Sequence, residues 1–291
     1  MTIRPTPTPV PGTTPTWTAR RMLVAVGNET AKGLRHGWSE RLQILIELPL
    51  FVTFVLLLGF TVGQGTTIAT TGTLNWTLDP RQAGWLFIGM ATFTYTYLHV
   101  QKMFWRLLAE LQAGTLEQTY LSPLPSWVHV VGGRVLAAIA ETTVVVAVMY
   151  AVTSLAVPLG LHWRADTLVP LALLVVGAAG LALIVAGITL VWKRIQMLND
   201  LVLLSVLFFS GAVLPLAEMP GWAKTIATPL FMTHAVAGLR TVMLDGRTLT
   251  LSGTSGLAWM LGTAVAWFIA GLTVFRACER IARRRGTLSH T

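Results

Sequence analysis

Six predominantly apolar stretches dominate this sequence, and most are close to the roughly 20 residues that a helix needs to cross a bilayer. Backbone polar groups in lipid must be paired within the chain, which favours helices over isolated strands. The sequence therefore predicts an all-α membrane protein. Its six transmembrane helices are predicted at residues 42–62, 82–103, 127–158, 168–192, 201–216 and 257–276, of which the fifth is short.

The low charged fraction excludes an ordinary soluble domain. Charged residues make up 11% of the chain and hydrophobic residues 54%, whereas soluble proteins are about 25% charged. The net charge of +9 does not indicate a nucleic-acid partner, because the basic residues are scattered at the ends of apolar runs and form no patch. The lone cysteine, Cys278, excludes an intramolecular disulfide and a zinc cluster.

The segments outside the spans differ in composition. Residues 1–16 are rich in Pro and Thr, lack the apolar core of a signal peptide and are predicted to form a disordered leader. Residues 17–41 mix apolar and basic side chains, a pattern typical of an amphipathic helix in the membrane interface with its cations towards anionic lipid headgroups. A single transmembrane domain is predicted at 42–278, and a basic tail follows at 279–291.

The distribution of Lys and Arg predicts the orientation. The N-terminal segment, the loop with Lys102, the basic pair at 193–194 and the tail carry most of the positive charge. Because loops rich in Lys and Arg remain in the cytoplasm, both termini are predicted to be cytoplasmic in a multi-pass protein of the cell (plasma or inner) membrane.

The segment 217–256 lies between the fifth and sixth spans and is predicted to face outward. It holds two apolar pieces interrupted by Pro220 and Pro229. Neither piece is long enough to cross the membrane. We therefore predict that both pieces dip into the membrane and return, as a re-entrant helical hairpin, or lie on its surface. The segment is called the 217–256 hairpin below.

A polar stretch at 110–126, between the second and third spans, is too polar to lie in lipid. Gly114 predicts a break, Thr115 is a typical N-cap, and Glu117 in the first turn favours the helix dipole. Pro123 ends the segment because proline removes a backbone donor. The pattern predicts a short cytoplasmic helix at about 114–123, called the knuckle below.

Ionisable residues within the spans are costly in lipid and require partners. Glu47 lies in the first span, where a structural role is predicted. Arg134 and Glu141 share one face of the third span, two turns apart, too far for a direct bond to be inferred from spacing alone. Arg134 is also predicted to be structural, whereas Glu141 either pairs with a polar group on another helix or lines a substrate or proton path. Tyr95 belongs to an unusually polar second span that suits a cavity or a partner helix.

Catalytic and cofactor motifs are absent from the sequence. There is no phosphate loop of the form GxxxxGK[ST], no HExxH, no serine-hydrolase signature and no paired cysteine ligands. The six histidines are scattered over different segments. We expect no catalytic site, no cofactor and no metal on this chain.

Two groups of motifs resemble the ABC-2 type permeases, the membrane subunits of one class of ABC exporter. The first is Gly114-Thr115-Leu116-Glu117-Gln118, followed by Ser122-Pro123-Leu124. The second lies in and near the hairpin and comprises Phe209-Ser210-Gly211, Pro215-Leu216, Met219-Pro220-Gly221-Trp222, Thr233-His234-Ala235-Val236 and Leu239-Arg240. The basic tail is somewhat similar to the daunorubicin-resistance type.

The resemblance implies the permease subunit of an ATP-driven exporter of drug-like, antibiotic, or lipid or glycan substrates. Two copies, or this chain and a close relative, would form a dimer on separate ATP-binding subunits, which hold the ATP and Mg. Membrane lipids are further expected partners. One alternative remains open, an ion-coupled secondary transporter or channel that uses Glu47 or Glu141, although no internal repeat supports it.

Specific residues are assigned to each expected role. Contacts with the ATP-binding subunit are predicted for Gly114, Thr115, Leu116, Glu117, Gln118, Tyr120, Leu121 and Pro123. A translocation path or gate is predicted for Glu141, Tyr95, Phe231, Met232 and His234.

Overall fold

The structure, a computed structural model, describes residues 19–39, 79–116, 132–192, 195–251 and 256–285, and the single residues 49, 53 and 57. In these residues the regular structure is helical throughout, without strands, which confirms the all-α prediction for this part of the chain. Its eight α-helices are α1 (Ala19–Ser39), α2 (Pro80–Ala113), α3 (Val135–Ala156), α4 (Leu168–Val191), α5 (Gln196–Phe209), α6 (Gly221–Ala227), α7 (Phe231–Met243) and α8 (Leu257–Arg285).

Three helical segments in the described part of the chain are long and apolar enough to cross a membrane. They are Gly132–Ala156, Ala165–Val191 and Leu257–Arg285, which correspond to the third, fourth and sixth predicted spans. The second predicted span is helical but more polar, and almost all of the first lies outside the described residues. Six spans therefore remain a prediction.

The fifth predicted span, 201–216, differs from the helix in the structure. α5 begins at Gln196 and ends at Phe209, so its 14 residues measure about 21 Å, less than the roughly 30 Å of a hydrocarbon core. The chain leaves the helix at Gly211, whose φ of 80° lies in the left-handed region. Glycine adopts this conformation without a steric penalty, which explains the early end of α5.

α2 lies at the centre of the bundle and packs against α3, α4, α5 and α7. Its 34 residues give it a length of about 51 Å. Pro80 occupies a favourable first position, and the helix ends at Gly114 (φ 69°), whose N–H faces the carbonyls of Glu110 and Leu111. The break predicted at Gly114 is therefore the end of the central helix.

Among the described helices, α4 and α8 make the most extensive helix–helix contact. A Cβ added to Gly180 would overlap the backbone of Trp267, and one added to Gly271 would overlap the backbone of Gly180. Small residues allow helix backbones to approach closely in this way. α8 continues beyond the predicted span end at 276 because Phe275, Cys278 and Ala282 extend its buried face, so the first part of the predicted tail is helical.

The two ends of α2 define the two ends of the bundle. At its N-terminal end, here called the Asp245 end, Arg81 pairs with Asp245 at 2.7 Å, and the N–H of His162 donates to the carbonyl of Met243 at 2.7 Å. At the other end, here called the Glu110 end, α1 packs against the start of α3. Which side of the membrane each end faces is not determined by these contacts. The cytoplasmic location of the Glu110 end remains a prediction.

Candidate functional site: charged clusters at both ends of α2

Ionisable side chains form matching stripes on α2 and α3. Lys102, Arg106 and Glu110 follow one another at intervals of four residues, which places them on one face of α2. Arg134 and Glu141, seven residues apart, share one face at the start of α3. Their contacts show that the two stripes face each other between antiparallel helices.

Glu141 is held by two cations from α2. Its carboxylate accepts hydrogen bonds from Arg106 Nη2 at 2.6 and 2.7 Å and lies 2.9 Å from Lys102 Nζ. The side chains of Glu141, Lys102 and Arg106 are only 7%, 11% and 11% exposed. Charge pairing at this depth offsets part of the cost of removing the ions from water, so the carboxylate and both cations depend on one another.

Glu110 and Arg134 form the second pair between the two helices. Arg134 Nη2 donates to Glu110 Oε2, and Lys32 Nζ of α1 lies 3.9 Å from Glu110 Oε1. Arg134 and Glu141 thus each have a partner on α2. These residues, together with Glu141 and its two cations, form what we call the Glu110 network. It comprises Lys32, Lys102, Arg106, Glu110, Arg134 and Glu141.

α1 is joined to this network through close glycine contacts. A Cβ added to Gly33 would lie 2.5 Å from Ala137 Cβ, and one added to Gly133 would overlap Glu29. Arg106 Nη2 also lies 3.4 Å from the carbonyl oxygen of Gly33. The described part of the predicted interfacial helix, α1, is therefore anchored on protein, a contact that its amphipathic pattern alone did not predict.

The knuckle begins directly beyond the Glu110 network. Gly114 and Thr115 turn the chain, with the Thr115 N–H donating to the Glu110 carbonyl at 3.2 Å, and the side chain of Leu116 is fully buried. The other predicted coupling residues lie outside the described residues, as does Glu47; they are Glu117, Gln118, Tyr120, Leu121 and Pro123.

Tyr95 lies on the same α2 stripe, farther from the knuckle. It is buried and its ring stacks on His99 at 6.1 Å between centroids. Within the described ranges, neither ring nitrogen of His99 has a hydrogen-bond partner. The hydroxyls of Thr92 and Thr96 bond to carbonyls one turn back. The polar second span is thus surrounded by helices, and the path role of Tyr95 remains a prediction.

The predicted gate residues are packed inside the bundle. The Phe231 ring contacts Gly177 of α4 and Trp267 of α8, with ring centroids 5.8 Å apart for the aromatic pair. Met232 is fully buried. His234 Nε2 lies 2.7 Å from the Thr228 carbonyl. These contacts fit a closed, water-excluding arrangement, and its opening as a gate remains a prediction.

Arg240 of α7 forms a second charged site. In the sequence it belongs to the Leu239-Arg240 motif of the 217–256 hairpin, but no contact or role was predicted for it. Its guanidinium donates to the carbonyls of Gly211 at 2.8 Å, Ala212 at 3.0 Å and Trp85 at 3.2 and 3.3 Å. It also lies over the Trp85 ring, 3.5 Å from the centroid. Among the residues that the structure describes, no carboxylate lies within ion-pair distance of it. The sequence signal for this site was the position of Arg240 within a short apolar piece, where a charged residue requires partners.

Gly89 makes this arrangement sterically possible. A Cβ at this position would overlap the Ala212 carbonyl oxygen and lie 2.8 Å from Arg240 Nη2. The turn after α5 can therefore approach α2 only where α2 has no side chain. We call Arg240 and the carbonyls of Trp85, Gly211 and Ala212 the Arg240 clamp.

The helical fold, its apolar spans and the paired charges between helices define a multi-pass α-helical membrane protein. Residues 50–244 match the family model of the ABC-2 type transporter. This match covers more than half of the chain, and the chain belongs to that family. No curated protein matches it.

Proposed function

We propose that this chain is the permease subunit of an ATP-driven ABC exporter and that a separate subunit hydrolyses the ATP. Its membership of the ABC-2 type transporter family is the observation that carries the proposal. The substrate is proposed to be drug-like, an antibiotic, or a lipid or glycan. The chain acts in the cell membrane with both termini in the cytoplasm.

The Glu110 network supports a coupling role for the knuckle. The segment between Glu110 and Arg134 begins and ends at the two partners of one ion pair, of which Arg134 is buried and Glu110 is partly buried. A force that an ATP-binding subunit applies to this segment would therefore reach α2 and α3 together. Contacts of Arg106 with Gly33 would carry it to α1 as well.

α2 supports transmission from one end of the bundle to the other. It is a continuous helix from Pro80 to Ala113, with the Glu110 network at one end and the Arg240 clamp at the other. A tilt imposed at Glu110 would therefore displace Trp85 and the 217–256 hairpin. In the proposed cycle this movement opens the exit.

Exposed apolar surfaces support the proposed dimer and lipid contacts. Val144, Val148 and Leu155 of α3 and Phe208 of α5 are exposed in the single chain. Such side chains are stable against lipid tails or a second permease, and costly in water. A second copy or a close relative is the proposed partner on one of these faces.

The environment of Glu141 favours an exporter over an ion-coupled carrier. A coupling carboxylate must gain and lose a proton or an ion during transport, whereas Glu141 is fixed between Lys102 and Arg106. Release of this carboxylate would leave two buried cations without a counter-charge. This geometry suits a structural role for Glu141, in which it holds α3 against α2.

Transport by reconstituted vesicles tests the proposal. The chain is co-purified with its ATP-binding subunit and supplied with chemically distinct compounds, with ATP, with a non-hydrolysable analogue, or with an ion gradient alone. We expect accumulation that requires ATP hydrolysis. Transport driven by the ion gradient without ATP would contradict the proposal and support the carrier alternative.

A further inference from the structure

Arg240 of α7 donates hydrogen bonds to the backbone just beyond the end of another helix, α5. α5 ends at Phe209, and the carbonyls of Gly211 and Ala212 lie in the turn that follows, where Ala212 is fully buried. Buried carbonyls beyond a helix end require donors from elsewhere. Arg240 of α7 supplies two of them, and its positive charge lies where the dipole of α5 is negative.

The chemistry of the clamp makes it reversible. All its hydrogen-bond acceptors are neutral carbonyls, so their separation from Arg240 leaves no unpaired carboxylate behind. Water can replace the guanidinium at the carbonyls and can hydrate the guanidinium itself. The Glu110 network is different, because separation there leaves buried charges of both signs. Of the two sites, the clamp is the one suited to open and close when water enters.

We propose that Arg240 is a positioning residue that latches α7 to α2 and to the end of α5. The latch is closed at rest and releases when the exit opens and fills with water in each transport cycle. This inference rests on the proposed export function. It adds the contact that holds the exit closed. Trp85, Gly211 and Ala212 supply the carbonyls that Arg240 binds, and Gly89 leaves space for their close approach.

Cysteine accessibility tests the latch in the full-length chain, expressed in intact cells with its ATP-binding subunit. Cys278→Ala removes the only native cysteine, and Ala212→Cys places a reporter inside the clamp. The probe is a membrane-impermeant maleimide, applied to energised and ATP-depleted cells. Thr248→Cys, at an exposed position near the Asp245 end, is the matched reporter that we expect to label in both conditions.

We expect the cysteine at position 212 to be protected in depleted cells and to label during turnover. Arg240→Gln should raise its labelling in depleted cells by about tenfold or more, because the hydrogen bonds from the charged donor are lost. Arg240→Lys, which keeps the charge without the planar fork, should give an intermediate rate. Arg247→Gln, which changes an exposed arginine of the same region, should have no effect.

Two results would overturn the latch. One is equal protection of position 212 in wild-type and Arg240→Gln chains, and the other is protection that persists during turnover of a transporting complex. If Arg240→Gln fails to accumulate in the membrane, Arg240→Lys is judged by the same criteria. The latch and the export proposal can fail separately. If the export proposal is wrong, the wild-type complex shows no ATP-dependent transport. The effect of Arg240→Gln on labelling in depleted cells requires no transport and tests the latch alone.

Discussion

The Arg134 guanidinium of α3 donates a hydrogen bond to the Glu110 carboxylate of α2, and the pair joins residues 24 positions apart in the sequence. Arg134 is buried and Glu110 largely so. The pair therefore links the end of α2 to the start of α3, the two points between which the knuckle segment runs.

Breaking this pair should destabilise the complex. Glu110→Gln leaves a buried guanidinium without its counter-charge, at a cost of roughly 3–5 kcal/mol. The charge swap of Glu110→Arg with Arg134→Glu should recover part of the loss, as a double-mutant cycle measures. Thermal unfolding in detergent provides the readout. Asp166→Asn, in an exposed pair at the Asp245 end, is the control and should change stability by about 0–1 kcal/mol.

Glu141→Gln should lower the amount of folded protein. The substitution leaves Lys102 and Arg106 as neighbouring buried cations, and loss of the carboxylate should cost roughly 3–5 kcal/mol. Adding Lys102→Gln should restore part of the stability. Membrane yield and unfolding temperature are the measurements, with Val152→Ala at an exposed α3 position as the control. Normal assembly with an altered pH dependence of transport would instead indicate that Glu141 lines a path.

Phe231→Ala should leave a cavity between α4, α7 and α8. Truncation of a buried phenylalanine typically costs about 3–5 kcal/mol, so the unfolding temperature should fall. Phe208→Ala provides the matched control because the Phe208 ring is exposed. If Phe231 also closes the exit, vesicles with the variant should leak a small polar dye without ATP. A tight vesicle would count against the gate while leaving the packing role intact.

The orientation predicted from Lys and Arg can be tested with two engineered cysteines in a Cys278→Ala background. Thr248→Cys should react with an impermeant maleimide outside intact cells, and Ala113→Cys should react only after the membrane is opened. Thr248 is a suitable site because its side chain is exposed, whereas the nearby Gly246 has a φ of 64°, which disfavours any side chain. Labelling of both positions from one side would contradict the assignment of the Glu110 and Asp245 ends.

Local signals in the sequence predicted the local structure well. Gly114 ends α2 because a left-handed residue is needed there, and a glycine before a typical N-cap indicates such a turn. The apolar runs likewise predicted the helices that became α3, α4 and α8. Periodicity and turn chemistry depend on neighbouring residues, which a sequence displays directly.

Partners from distant segments could not be predicted in the same way. The spacing of Arg134 and Glu141 showed a shared face, but their partners on α2 depend on how two helices align. Arg240 was placed in an apolar piece, yet its acceptors are backbone carbonyls, which every residue has. The coupling contact of the knuckle stays a prediction for a similar reason, because it requires a second protein.

The central claim, that a separate ATP-binding subunit acts on this chain at the knuckle, is tested most directly by co-purification with Glu117→Ala. Glu117 is proposed to pair with a basic residue of that subunit, and loss of one partner of a buried pair costs roughly 3–5 kcal/mol. We predict that the wild-type chain and Glu218→Ala, an exposed acidic control, retain the subunit and ATP-dependent transport, whereas Glu117→Ala loses both. Equal recovery of the subunit with normal transport by Glu117→Ala would contradict the account.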